Sequence, residues 1–277
     1  MEQIGNEELK QIELDIFQQV IEICEKHNLR YIVDYGSLIG IVRHGGFIPW
    51  DDDIDVSMPR PDYEKFRRVF SDEIPEDSYL ELRTGMKGNI AIPYIQVVHK
   101  QTVTVKKGRR DAFSQSVWID VFPIDGAGNN SRDLEEVYKK YWDKINESRK
   151  IIGRYKPFIN PVRQVKQFYW HYLKKYHLGK IIKDAEQIMQ TYEYDTSEHV
   201  FCFCTVYGTK ETNHKKYYED RIDMEFEGIR CKVPREYDEK LRGIYGDYMI
   251  LPPEKERKGH DFEAYFLTGS VQNGGKI

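Results

Sequence analysis

The sequence predicts an α+β fold, a strand-rich first half followed by a helical stretch and then a return to strands. Residues 9–27 carry Leu9, Ile12, Ile16, Val20 and Ile23 at helical spacing. Residues 53–58 alternate acidic or polar and apolar side chains with the period of a strand. Residues 132–194 are helical in pattern and rich in lysine and tyrosine, and β-prone runs resume near Val200.

In chain order, a helix over Leu9–His27 ends near Asn28, and Tyr31–Tyr35 is a short β-prone run. Gly36-Ser37 breaks that run, a helix starts over Leu38–Arg43, and His44-Gly45-Gly46 signals a turn. The strand Asp53–Met58 is stopped by Pro59 and Pro61, and a helix runs from Asp62 to Phe70. Further strands are expected at Tyr79–Arg83, Ile92–Val98, Thr102–Lys106 and Val117–Phe122, with a loop over Asp125–Asn130. In the helical stretch, Val162, Val165, Tyr169, Tyr172 and Tyr176 recur at three- and four-residue steps among lysines. That pattern reads as an amphipathic helix packed on the core with a solvated lysine face. The alternative is a surface that meets anionic lipid or a lipid-linked acceptor. Strands are expected again at Val200–Val206, Ile222–Phe226 and Ile229–Val233, before a Pro-rich charged stretch over Leu251–Asp261.

At 277 residues, 40% hydrophobic and 32% charged, the chain has globular composition and length enough for a sizeable core. A net charge of −4 gives no global basic field, so nucleic acid is not an expected partner. Four cysteines do not suggest a disulfide framework, and the expected location is cytoplasmic, with peripheral association at the inner membrane face as a possibility.

The chemistry concentrates in Pro49-Trp50-Asp51-Asp52-Asp53-Ile54-Asp55-Val56. On a strand, Asp53 and Asp55 share one face while Ile54 and Val56 enter the core. Two carboxylates on one face repel by roughly a few kcal/mol, and a hard divalent ion such as Mg²⁺ relieves this because it prefers carboxylate and phosphate oxygens. A solvated acidic turn is the plain alternative, but the apolar neighbours argue against it. Asp-x-Asp alone also serves metal-dependent glycosyltransferases. Two further features narrow the choice. Gly36-Ser37, between a strand and a helix, offers backbone N–H groups and a hydroxyl to a phosphate. Asp120, alone in the apolar run Trp118–Phe122, is the natural third carboxylate, as metal ligand or as base for an acceptor hydroxyl.

Gly-Ser, an acid pair on one strand and a third acid on a later strand resemble the nucleotidyltransferase superfamily. The fuller strings Tyr35–Gly40, Arg43-His44, Gly46–Asp55 and Ile119–Gly126 resemble the LicD family, as do Tyr245–Met249, Leu251-Pro252-Pro253, Arg257 and His260. The resemblance implies a mixed β-sheet core flanked by helices, with a helical insertion and a C-terminal extension. Its expected parts are a catalytic core over 1–130, a helical basic-aromatic segment over 131–195, and a segment over 196–277 that completes the core and active site. The activity implied is transfer of a substituted phosphate from a CDP-alcohol, CDP-choline being favoured. The acceptor would be a hydroxyl of a glycan or lipid-linked glycan such as teichoic acid or lipopolysaccharide. Carried over by position, Asp53, Asp55 and Asp120 would hold Mg²⁺ (or Mn²⁺), and Gly36, Ser37, Arg43 and His260 would contact the donor. Gln96 stands where relatives often carry a lysine, which bears on donor choice. A nucleotidyltransferase releasing pyrophosphate, and a non-catalytic phosphosugar-binding module, are the competing functions.

Overall fold

The computed structural model describes residues 1–87, 90–106, 115–128, 130–152, 161–259 and 262–267. They form two compact units, one of Met1–Arg83, Gln96–Pro123 and Lys216–Ile277, the other of Thr84–Ile95 and Ile124–Lys215. The mixture of helices with a mixed sheet is the α+β class expected.

The first unit begins with β1 (Glu2–Ile4), α1 (Asn6–Lys26), β2 (Ile32–Val33), α2 (Tyr35–His44), β3 (Asp55–Pro59) and α3 (Arg60–Glu73). Helix α1 buries Leu9, Ile12, Ile16, Val20 and Ile23, the stripe its spacing predicts, and Phe17 with them. Helix α2 starts at Tyr35 rather than at Leu38, so Gly36 and Ser37 lie inside its first turn instead of in a turn before it. Its end is closed by Gly45, whose left-handed φ of 76° suits a residue without Cβ. Strand β4 (Leu80–Lys87) pairs with β5 (Ile90–Lys106), which is one long strand where two were expected. Strand β6 (Gln115–Gly126) extends past Phe122, so Asp125 and Gly126 belong to a strand rather than to the expected loop.

In the second unit, α4 (Ser131–Ile152), α5 (Pro161–Phe168) and α6 (Leu178–Met189) supply the expected helices, and β7 (His199–Phe201) pairs with β8 (Asn213–His214). The strand expected over Val200–Val206 stops at Phe201. The chain turns there, and Phe201 and Phe203 both enter one buried cluster with Tyr141, Ala185 and Met189.

The chain then returns to the first unit with α7 (Lys216–Glu219), β9 (Arg221–Phe226), β10 (Ile229–Pro234), α8 (Tyr237–Tyr245) and β11 (Phe262–Phe266). Strands β9 and β10, both expected, pair as a hairpin that turns on Glu227 and Gly228 at φ 49° and 81°, the positive pair a tight hairpin favours. Strand order in this unit is β1-β11-β5-β6-β3-β2. Ala264 of β11 faces Thr104 of β5 on one side and Ile4 of β1 on the other, so the C-terminal strand is interior to the sheet. Val33 of β2 opposes Val56 of β3, which fixes the register that presents the acids.

Candidate active site

Three short elements converge on the acids: the first turn of α2, the approach to β3, and the middle of β6. The α2 end is set by a buried ion pair. Asp34 Oδ1 accepts from the Tyr35 N–H at 2.9 Å and from the Lys240 ammonium, and neither the Asp34 nor the Lys240 side chain is accessible to solvent. Lys240 also lies 5.2 Å from the Tyr35 ring and 5.6 Å from the Tyr218 ring, within cation–π range. Tyr35 itself has φ +50°, in the left-handed region a tyrosine rarely adopts. Strain of this kind amounts to about 1–3 kcal/mol and persists only where the surroundings over-determine it.

That backbone turn brings Gly36 against the acid run. A Cβ there would stand 2.9 Å from Asp51 Oδ2, so a larger residue would displace that carboxylate. Ser37 is buried, and its hydroxyl accepts from the Asp55 N–H at 2.9 Å and donates to the Asp53 carbonyl at 3.4 Å. The hydroxyl expected to grip a phosphate thus fastens the backbone of the two acids.

Asp53 lies just ahead of β3 and Asp55 begins it, while Ile54 and Val56 are fully buried, so the expected alternation holds. Asp120 on β6 is tied to the same segment through its N–H, which donates to the Ile54 carbonyl at 3.1 Å. Its Oδ1 accepts from Gln96 Nε2 at 2.9 Å, which gives Gln96 a place in the site as a neutral donor. Burial, followed by the charges of Asp53, Asp120, Asp51 and Asp34, pushes the Asp55 carboxyl well above the usual carboxylate range. The expected three acids are therefore electrostatic neighbours.

A further acid belongs to the same group. Glu13 of α1 is buried, its Oε2 has no hydrogen-bond partner, and burial followed by Asp53, Asp52 and Asp51 raises its pKa well above normal. Its signal in the sequence is an acid between Ile12 and Ile16 on the apolar face of a helix. Among the described residues, no three His, Cys, Asp or Glu side chains close into a complete metal-ligand set. The donor chemistry still fits a hard divalent cation, because the group is all carboxylate and Glu13 presents a buried oxygen without a partner.

Beside the acids lies a cationic pair. Arg43 Nη1 donates to the Tyr248 carbonyl at 2.6 Å, and Arg257 Nε donates to the Pro252 carbonyl at 2.8 Å. The two guanidinium carbons stand 6.0 Å and 5.3 Å from the Trp50 ring centre. Burial, and then the charge of Arg257, lowers the Arg43 pKa. Neither arginine makes a salt bridge to an acid among the described residues, and two guanidinium groups held together without a carboxylate favour an anionic ligand. Trp50 also lines a cavity of about 480 Å³, together with Lys10, Asp51, Asp52, Phe262 and Glu263. Gly259 closes against this loop so tightly that a Cβ would fall 2.6 Å from the Trp50 carbonyl. His260, expected to contact the donor, lies outside the described residues.

Comparison with known proteins gives the family. Residues 28–165 match the family described as LicD/FKTN/FKRP, nucleotidyltransferase domain. The chain is 30% identical over 263 residues to lipopolysaccharide cholinephosphotransferase LicD of Haemophilus influenzae, covering 92% of this chain and 95% of that protein. A shorter match, 44% identical over 39 residues, is to human ribitol 5-phosphate transferase FKRP, covering 14% of this chain and 8% of that protein. The chain belongs to the LicD family and is a phosphotransferase of that type.

Proposed function

We propose that the protein transfers phosphocholine, or a related alcohol phosphate, from a CDP-activated donor to a hydroxyl of a cell-surface glycan precursor. One observation carries this reading. The segment Trp50–Asp55 holds a carboxylate group at one end and the Arg43–Arg257 pair around its tryptophan at the other. A site with carboxylates for a divalent cation and guanidinium groups for phosphate suits a metal-bound diphosphate. The relationship to a cholinephosphotransferase supports choline as the donor alcohol and a lipopolysaccharide-type acceptor. The acids and aromatic rings around the cavity would suit a quaternary ammonium, through charge and through contact with aromatic faces.

Asp53, Asp55 and Asp120 would hold Mg²⁺, with Mn²⁺ as the alternative, and Glu13 lies close enough to bias the same charge balance. When bound, such an ion neutralises the diphosphate and eases departure of CMP. Ser37 keeps Asp53 and Asp55 in register through their backbone. Arg43 and Arg257 would clamp the phosphate oxygens. Asp120, oriented by Gln96, would take the proton of the acceptor hydroxyl as its oxygen attacks phosphorus.

Incubation with CDP-choline and CDP-ribitol, a glycan acceptor and Mg²⁺, followed by mass spectrometry, should show CMP in step with a phosphodiester product. Pyrophosphate release from a nucleoside triphosphate, with no CMP from any CDP-alcohol, would instead make the enzyme a nucleotidyltransferase.

Removing one guanidinium isolates its share of that clamp. Arg257→Ala should lower kcat/KM for the CDP donor by about ten- to a hundredfold, the range for losing hydrogen bonds to a charged group. Arg257→Lys should recover little, because one ammonium does not reproduce the guanidinium fork. Wild-type kcat/KM in Arg257→Ala would remove the residue from the donor site.

A further inference from the structure

The stripe Val162, Val165, Tyr169, Tyr172 and Tyr176, expected to pack on the core, is exposed instead. Val165 is 69% and Tyr176 92% accessible, and Phe168 and Leu173 beside the stripe are also more than half or half exposed. The helical run is nonetheless anchored. Helix α5 passes into a π-helical turn at Tyr169–Leu173, where the Lys174 N–H donates to the Tyr169 carbonyl at 3.0 Å, and then reaches α6 through a short 3₁₀ turn. Trp170 on that turn packs with Ile151, Leu178, Ile181 and Ile182, so one side of the run has its own apolar contacts while the stripe stays in water.

Charge says what the exposed face suits. Residues 161–183 contain Arg163, Lys166, Lys174, Lys175, Lys180 and Lys183 and no Asp or Glu, in a chain whose net charge is −4. Arg163 and Lys166 on α5 and Lys180 and Lys183 on α6 are exposed. No helix among the described residues is long and apolar enough to cross a membrane. Apolar and aromatic side chains flanked by lysine, on helices too polar to span, fit the headgroup boundary of an anionic bilayer. A second copy of the chain is a poorer occupant, since a symmetric contact through this face would oppose two equally basic surfaces.

We infer that residues 161–183 form a face by which the protein docks on membranes rich in anionic lipid. The inference stands on exposure and charge, independently of the transfer reaction, and would bring the enzyme to a lipid-linked acceptor if that reaction is as proposed.

Flotation of the full chain with vesicles tests it, using phosphatidylcholine alone and phosphatidylcholine with an equal part of phosphatidylglycerol. Binding should require the anionic lipid, weaken with added salt, and fall roughly fivefold for each of Lys166→Glu and Lys180→Glu. Val165→Asp with Tyr176→Asp should lower binding at least tenfold without changing the melting temperature, because both side chains are exposed. Equal binding to both vesicle types, no binding to either, or variants that bind like the wild type would each overturn the proposal. So would a dimer in solution that Val165→Asp with Tyr176→Asp dissociates, which would assign the face to a second copy. Vesicle binding without phosphotransfer would leave the docking face intact and count against the reaction alone.

Discussion

Lys240→Met should destabilise the protein by about 3–5 kcal/mol, the range seen when one partner of a buried ion pair is removed. In a chain of this size that corresponds to a fall of roughly 6–20 °C in melting temperature. The large effect follows from what remains. Asp34 would keep a carboxyl with no access to solvent and lose its ammonium partner, and its Oδ2 already has no hydrogen-bond partner. The same Oδ1 caps the Tyr35 N–H, so disturbing it loosens the left-handed turn that places Gly36 against Asp51 and Ser37 under the acids. Asp34→Asn combined with Lys240→Met should recover more than half of the loss, because a neutral amide can still accept from Tyr35 and no charge is left buried. Urea unfolding of the single and double variants decides this. Purely additive losses, or a Lys240→Met loss below about 1 kcal/mol, would mean that the pair does not carry the turn.

How much of this site could be read from residues alone depends on how local each interaction is. The acid strand was legible because alternation is a two-residue signal, and buried Ile54 and Val56 around Asp55 bear it out. Helix α1 was legible for the same reason, with a 3.6-residue period. Glu13 was within reach, since an acid between Ile12 and Ile16 breaks the apolar face, but its proximity to Asp51–Asp53 depends on tertiary packing. The Asp34–Lys240 pair spans 206 residues, and α8 offers only Leu241 and Ile244 as periodic apolar signals, so neither helix nor partner was apparent. Ser37 looked ready for phosphate because a Gly-Ser turn exposes its hydroxyl in isolation; the β2–β3 register instead lays the Asp53–Asp55 backbone across it. The tyrosine stripe shows the opposite limit. Periodicity reports that a helix has an apolar face and says nothing about whether protein or lipid covers it.

The acids themselves should give opposite results for stability and activity. Asp55→Asn should lower phosphotransfer by on the order of 10²–10³-fold, as loss of a charge aligned with the reacting phosphate does. The same change should raise the melting temperature of the protein in EDTA at neutral pH, because it removes a carboxylate that burial and its neighbours disfavour. The sign with pH follows. Carboxyls with raised folded-state pKa, here Asp55 and Glu13, favour the folded state fully below their unfolded values of 3.8 and 4.5. That contribution is lost as pH rises from there through the raised folded values. In EDTA the wild type should therefore lose stability over that upward window relative to Asp55→Asn. Mg²⁺ should restore it in the wild type and much less in the variant, since a ligand that binds the folded state stabilises in proportion to its occupancy. Melting curves of both proteins, with EDTA and with Mg²⁺ across that pH range, measure all of these at once. If Mg²⁺ shifts the wild type and Asp55→Asn equally, or shifts neither, the ion does not bind at these acids, and their mutual repulsion needs another counter-charge.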